Sequence, residues 1–217
     1  MTETLGESPK PIRSRRNVRG MRFEEMNQWT MDSPEDSDTP FGVREYLQTT
    51  LRQRNQATQA LIEVPPNVDP NVWVYEHLRE VCIELNFFIA YLRDECTRES
   101  CPEMVVGEWR FLCAAHRPPQ SCAALEYIVH THNGATSCLT DIKHFPFLAR
   151  VPERSMKMLK DIARRLDRVF AHAYHNHRKT FLNFENHYRT YSRFSALINR
   201  YSIVQANEQT MPELARA

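Results

Sequence analysis

Two short stretches of the chain carry side chains that are typical metal ligands. Cys96 and Cys101 form a C-x4-C pair, and the run HAYHNH contains His172, His175 and His177. Two thiolates and two imidazoles complete a tetrahedral shell around Zn²⁺ with no position left for water, so such a site would be structural and not catalytic. His172 and His175 would share a helix face, whereas His177 needs the helix to end or turn, so the spacing leaves the second histidine open. Buried thiols and ordinary histidines are the alternative interpretation.

A second group of potential ligands is the weaker candidate. Its members are Cys113, His116, Cys122 and Cys138. Cys113 lies in the apolar run WRFLCAA, which is typical of a hydrophobic core. We therefore interpret Cys113 as a core residue and a second metal site as the less favoured hypothesis.

Three arginines occupy one side of a predicted helix. The apolar stripe of this helix consists of Leu159, Ile162, Leu166, Val169 and Ala173. Arg164, Arg165 and Arg168 lie on the opposite side, with Arg168 one turn beyond the other two. Converging guanidiniums are a natural receptor for a phosphorylated serine or threonine, because a phosphate dianion accepts several charge-assisted bonds at once. A solvated basic face is the alternative, and Asp167, three residues after Arg164, could partly neutralise it.

Catalytic patterns are not apparent in the sequence. The five glycines are too far apart to form a phosphate-binding loop or a dinucleotide fingerprint. Paired carboxylates in a plausible cleft and a recognisable nucleophile are also missing. The sequence therefore predicts a protein that is not an enzyme.

Helices must position these groups. Thr39-Pro40 predicts the start of a first helix, and the proline-rich loop over 64–70 separates it from a second. That second helix is predicted from Asn71 to Arg93, because apolar residues recur at three- and four-residue steps. They are Trp73, His77, Val81, Leu85, Phe88 and Leu92.

The rest of the chain suggests a mostly α protein with one small hairpin. The Asn133-Gly134 pair predicts a β-hairpin whose arms are 126–131 and 135–139. Two long helices, joined near Asn176 to Arg178, are predicted between residues 153 and 211, where neither Pro nor Gly occurs.

Length and charge predict one domain with two flanking segments. A chain of 217 residues has room for one core, and 28 basic against 27 acidic residues give a net charge of +1, which argues against general nucleic-acid binding. We expect a flexible N-terminal arm over 1–38, a helical domain over 39–205 and a C-terminal tail over 206–217. The basic half of the arm, from Lys10 onward, is interpreted as solvated.

The most apolar run of the chain is too short to span a membrane, and the N-terminus has no secretory h-region. We therefore expect a reducing compartment with unpaired cysteines.

Four segments together resemble a known family. They are VWVYEHLR (72–79), CIELN (82–86), FLCAAH (111–116) and FAHAY (170–174). In this order they are similar to the MOB (Mps one binder) kinase-adaptor family, in its phocein-like branch, and the resemblance runs from about Arg13 to Tyr201.

This resemblance implies a fold and two sites. The fold is a mostly helical domain with a four-helix-bundle core, and a structural zinc would be held by Cys96, Cys101, His172 and His177. The family's phosphothreonine pocket falls on Arg164, Arg165 and Arg168. Relatives that activate nuclear Dbf2-related kinases carry acidic residues near the tryptophan of the second helix. Here those places hold Val68 and Val72, which argues against the same docking.

The resemblance also implies partners and a location. We expect a non-enzymatic signalling adaptor that binds phosphorylated segments, striatin-type scaffolds and germinal-centre-type kinases in a phosphatase and kinase assembly. A cytoplasmic protein associated peripherally with Golgi or other endomembranes and with vesicle traffic would follow. A zinc-containing nucleic-acid-binding module is the alternative, and a zinc hydrolase, which needs an open coordination position, is a third hypothesis.

Overall fold

The computed structural model describes residues 19–26, 29–37, 39–53, 57–146 and 150–212. Within these ranges the chain is mostly helical, with seven α-helices and one two-stranded antiparallel sheet. The predicted fold class is confirmed in these respects. The basic half of the predicted N-terminal arm, up to Arg16, lies outside the described residues, and the predicted domain limits stay a prediction.

The chain divides into two compact units, Met1–Arg54 and Asn55–Ala217. The described part of the first unit contains two short 3-10 turns, Phe23–Glu25 and Pro34–Asp36, and helix α1 (Gly42–Gln53). Helix α1 begins two residues after the predicted start. Gly42 is required here, because a Cβ atom at this position would lie 2.4 Å from the carbonyl oxygen of Pro34.

Helix α3 is the centre of the second unit. The short helix α2 (Thr58–Ile62) precedes it, and α3 runs over Pro70–Leu92, one residue from the predicted limits at each end. Asp69 caps it, because its Oδ1 accepts the backbone N–H of Asn71 at 2.7 Å and Pro70 occupies the first helical position. The predicted apolar stripe is buried throughout.

The predicted hairpin at Asn133-Gly134 is wrong. Residues there form helix α4 (Ala124–Leu139), which packs against α3. Tyr127, Ile128, Ala135 and Leu139 are buried at helical spacing, whereas the Asn-Gly pair is exposed on the outer face. Burial of that stripe exceeds the cost of about 1 kcal/mol for a glycine in a helix. The sheet instead pairs β1 (Val105–Val106) with β2 (Trp109–Arg110), across a turn where Gly107 has a φ of +57°.

Between residues 153 and 211 the structure has three α-helices and not the two that were predicted. Helix α5 (Glu153–Asn176) and α6 (Arg178–Tyr188) meet at the predicted joint, but Arg189, in the left-handed conformation with a φ of 54°, separates α6 from α7 (Thr190–Arg200). The Glu185 carboxylate accepts the backbone N–H groups of Tyr191 and Ser192, both at 2.8 Å. These bonds satisfy two N-terminal donors of α7 and stabilise the break.

Helices α4, α5, α6 and α7 all contact α3. Aromatic rings fill the interface, and the Phe88 ring of α3 lies 4.6 Å from Phe184 and 5.9 Å from Phe170, centroid to centroid. None of the helices that the structure describes has both the length and the apolar composition of a transmembrane segment.

Candidate functional site

The four predicted metal ligands come together in the structure. One ligand atom from each of Cys96, Cys101, His172 and His177 lies within 4.8 Å of all the others, and all four residues are buried. The distance is 3.6 Å from Cys96 Sγ to His172 Nε2 and 3.3 Å from Cys101 Sγ to His177 Nε2. With Zn–S bonds of about 2.3 Å and Zn–N bonds of about 2.0 Å, tetrahedral geometry places sulfur and nitrogen about 3.5 Å apart. The donor set therefore fits a zinc ion.

Local backbone structure explains why His177, and not His175, faces the cysteines. Cys96 lies in the turn after α3, and its N–H donates to the carbonyl of Leu92, the last residue of that helix, at 2.8 Å. His172 lies in the last turns of α5, whereas His177 leaves the helix with φ −134° and ψ 48°. Because of this change of direction, His172 and His177 both face the cysteines although they are five residues apart. His175 stays exposed.

Groups outside the cluster orient both imidazoles. His172 Nδ1–H donates to the carbonyl oxygen of Val105 at 2.7 Å, which leaves Nε2 free to bind a metal. His177 Nδ1 lies 3.8 Å from the Glu95 carboxylate, and that carboxylate accepts the hydroxyl of Thr180 at 2.7 Å. Second partners of this kind are the usual supports of zinc-binding histidines.

Burial shifts the pKa values of this cluster towards the neutral forms of its side chains. It raises the pKa of the Cys96 thiol to about 12, and the neighbouring Cys101 sulfur adds to the effect. Burial also lowers the pKa of His172 and of His177, so both imidazoles are neutral at pH 7, as metal ligands must be. A divalent cation offsets the cost of ionising the thiols in this setting.

The predicted arginines line a cavity and lie on α5, the helix that also carries His172. The larger cavity has a volume of about 320 Å³ and lies between α5, α4 and residues 112–115. A smaller one of about 130 Å³ shares Thr131, Gly134, Asp161 and Arg165 with it. We call the two together the basic groove. Arg164, Arg165 and Arg168 all line it.

The three arginines differ in their partners. Arg164 pairs with Asp161 and, at 2.9 Å, with Glu208. Arg168 lies over the Phe111 ring at 4.5 Å, and its Nη1 donates to the Tyr127 hydroxyl at 3.5 Å.

Arg165 and Arg168 are the cations of the groove that are available to a ligand. Arg165 is exposed, and no carboxylate of the described chain pairs with Arg165 or Arg168. Asp167, the residue expected to weaken Arg164, is buried and accepts the backbone N–H of Thr210 at 2.5 Å.

Comparison with known proteins shows to which family the chain belongs. A model of the Mob1/phocein family matches residues 48–212. The chain belongs to the Mob1/phocein family. It is 39% identical over 202 residues to the MOB-like protein phocein of Caenorhabditis elegans, which covers 92% of this chain and 90% of that protein.

Two further relatives carry kinase-activator names. The identity is 33% over 199 residues with MOB kinase activator-like 4 of Drosophila melanogaster, covering 91% of this chain and 89% of that protein. The identity is 26% over 189 residues with the CBK1 kinase activator protein MOB2 of Candida albicans, and the match covers 83% of this chain and 60% of that protein. The resemblance to the MOB family is thereby confirmed.

In this Mob1/phocein-family chain, the two valines near the tryptophan of α3 are a core residue and a loop residue. Val72 is only 2% exposed and belongs to the core, and Val68 is half-buried in the loop before α3. An apolar side chain at either place offers no charge to a basic segment.

Sequence reasoning missed the α4 side of the basic groove. Tyr127, Thr131 and Gly134 line it, but the sequence predicted β-strands and a turn over these residues. Gly134 has open space around the position of a Cβ atom, so it widens the groove. The available signal was the helical spacing of the buried residues of α4.

The less favoured second group of ligands is partly assembled. Cys113, His116 and Cys122 come together, and the fourth member is His130 of α4. Cys138 instead lines the smaller cavity of the basic groove.

Proposed function

We propose that this chain is a non-enzymatic adaptor that binds a phosphorylated threonine or serine of a partner protein in the basic groove. The observation that carries the proposal is the placement of Arg165 and Arg168, without carboxylate partners in the described chain, on one wall of a cavity of about 320 Å³. A phosphate carries about −1.5 to −2 charges and three acceptor oxygens, so it can bond to both guanidiniums at once. An unmodified hydroxyl gains little there.

The zinc ion in this proposal is structural. Cys96, Cys101, His172 and His177 would hold it, and it would supply the charge that keeps two buried thiolates ionised. His172 lies one turn beyond Arg168 on α5. Attachment of the end of this helix to the loop after α3 therefore fixes the helix that carries the arginines.

The helical core expected from the family resemblance can be assigned on the same basis. We infer that α3, α4, α5 and the α6–α7 pair are its four members, because α3 packs against each of the others. The break at Arg189 turns one long fourth helix into two short ones.

The partners belong to signalling assemblies in this proposal. The names of the fruit-fly and Candida relatives make kinases the first partner class to test. Similarity to phocein supports, in addition, a striatin-type scaffold and a germinal-centre-type kinase within a phosphatase and kinase assembly. A cytoplasmic location, with peripheral association with Golgi or other endomembranes, is part of the same proposal.

The test measures binding of phosphothreonine peptides to the full chain. A degenerate phosphothreonine library and its unphosphorylated counterpart are titrated by fluorescence anisotropy against wild type and Arg164→Ala/Arg165→Ala/Arg168→Ala. A matched control removes three exposed lysines outside the groove, Lys157→Ala/Lys160→Ala/Lys179→Ala, so the net charge changes equally. We expect phosphate-dependent binding that the arginine triple abolishes and the lysine triple keeps.

Two results would contradict the proposal. Equal binding by wild type and the arginine triple would remove the groove as the phosphate receptor. Steeply salt-dependent binding of nucleic acid, unaffected by a phosphothreonine competitor, would favour the alternative function.

A further inference from the structure

A second cluster of two cysteines and two histidines lies on the other side of the basic groove from α5. One ligand atom from each of Cys113, His116, Cys122 and His130 lies within 4.8 Å of all the others. We propose that this cluster binds a second structural zinc ion, which attaches the loop before α4 to α4 itself.

The distances in the two clusters are alike. Cys113 Sγ lies 3.4 Å from His130 Nδ1, and Cys122 Sγ lies 3.1 Å from His116 Nε2. The first cluster has the corresponding sulfur-to-nitrogen distances of 3.6 and 3.3 Å. Both pairs of values lie close to the separation of about 3.5 Å that a tetrahedral zinc shell requires.

Four different places in the backbone bring these ligands together. Cys113 is part of an antiparallel bridge, in which its N–H donates to the carbonyl of Gln120 at 2.8 Å. His116 lies within the loop that this bridge closes, Cys122 directly precedes α4, and His130 is on the helix. Such a loop buries little apolar surface of its own, so a metal ion at its base would supply stability that packing does not.

Separate thiol–imidazole hydrogen bonds are the simpler explanation, and they fit less well. If Cys113 with His130 and Cys122 with His116 were two independent hydrogen-bonded pairs, the pairs would not need to lie close to each other. The pairs nevertheless converge, and the His116 and His130 rings lie 5.0 Å apart in an edge-to-face arrangement. Both cysteines are buried, so neither thiol is placed for reaction with a solvent oxidant.

This cluster would position one wall of the basic groove. Residues 112–115 line the larger cavity opposite Arg168, and the ring of Phe111 lies under the Arg168 guanidinium. One zinc ion would thus fix α5, and the other would fix the facing loop. The effect on phosphopeptide binding rests on the proposed function, whereas the metal site does not.

The test counts zinc ions in the purified full chain, after growth and purification in zinc and without chelator. We expect two zinc ions per chain in wild type by mass spectrometry of the metal. Cys122→Ser and His130→Gln should each retain one. Cys138→Ser, a matched cysteine outside both clusters, should retain two. In Cys122→Ser, hydrogen exchange should accelerate over 111–122 while the rest of the chain keeps its protection.

Cobalt replacement provides a second measurement. Two equivalents of Co²⁺ should produce the thiolate charge-transfer and d–d absorption of tetrahedral sites, with half the intensity in Cys122→Ser. One zinc ion per folded wild-type chain would overturn the proposal, and this result needs no variant. Two ions in Cys122→Ser, or a Cys113–Cys122 disulfide seen as the loss of two hydrogens in the intact mass, would overturn it as well. Normal metal counts with no phosphopeptide binding would instead reject only the proposed function.

Discussion

Arg164 and Arg165 are neighbours on α5, yet the structure predicts that they contribute very differently to phosphate binding. Arg165 is exposed and has no carboxylate partner among the described residues, so a bound phosphate would gain a full charge-assisted bond from it. Such bonds contribute about 1.5–3 kcal/mol. We therefore expect Arg165→Ala to weaken phosphothreonine-peptide binding by about 10- to 150-fold.

Arg164 must give up internal partners to reach the same ligand. Its side chain is 37% exposed, and its guanidinium pairs with Asp161 and Glu208. Exposed ion pairs of this kind contribute up to about 1 kcal/mol each, so the two together offset most of what a phosphate would add. We expect Arg164→Ala to weaken binding by no more than about tenfold.

The assay is anisotropy with one phosphothreonine peptide at constant ionic strength, with the unfolding midpoint in urea as the fold control. Asp161→Asn provides the reciprocal test, because it releases Arg164 and removes a carboxylate that lines both cavities. It should tighten binding about two- to fivefold, whereas Asp94→Asn, which also removes a carboxylate paired with an arginine, should not change it. An Arg164→Ala defect as large as that of Arg165→Ala would refute this reasoning, and so would an unchanged affinity in Asp161→Asn.

Two further predictions concern single residues. Gly134→Ala should raise the free energy of unfolding by about 0.5–1 kcal/mol in urea titrations, because Gly134 is inside a helix and has open space around it; a destabilised variant would contradict this. Gly134→Leu should keep the fold and lose phosphopeptide affinity, since the side chain would enter the groove, and unchanged affinity would argue against the groove as the binding site. Burial, with a contribution from Arg193, lowers the pKa of His77 well below 6.5 in the folded chain. As the pH falls below about 6.5, His77 therefore binds a proton in the unfolded chain but not in the folded chain. The free energy of unfolding should therefore fall by up to about 1.4 kcal/mol per pH unit in that range, and less steeply in His77→Gln; equal slopes would show that His77 does not titrate in this way.

The sequence predicted the elements whose stripes are long and continuous. Helix α3 was placed to within one residue, because six buried positions repeat over its length and a proline-rich loop precedes it. The α6–α7 break had no comparable signal. Arg189 is neither Gly nor Pro, and the Glu185 carboxylate that stabilises the break accepts backbone N–H groups six and seven residues later, beyond the three- and four-residue spacing of helical side-chain pairs.

Errors at the sites followed from errors in local structure. The Asn133-Gly134 pair suggested a turn, so His130 was not considered on a helix and Cys138 was taken as the fourth ligand of the second cluster. The choice of His177 depended on the family resemblance, since only the end of α5 distinguishes it from His175. The pairing of Arg164 with Glu208 joins residues 44 positions apart, which no local pattern reveals.

The internal ion pairs of Arg164 affect which anions can act as ligands. A glutamate side chain brings one charge and two coplanar oxygens, so at Arg164 it would only exchange one carboxylate for another. A phosphoryl group brings about −1.5 to −2 charges and a third oxygen, which is enough to exceed the existing pairs. Glutamate introduced at a partner's threonine would thus be a poor mimic of the modified residue, and this protein would discriminate a kinase product from a merely acidic sequence.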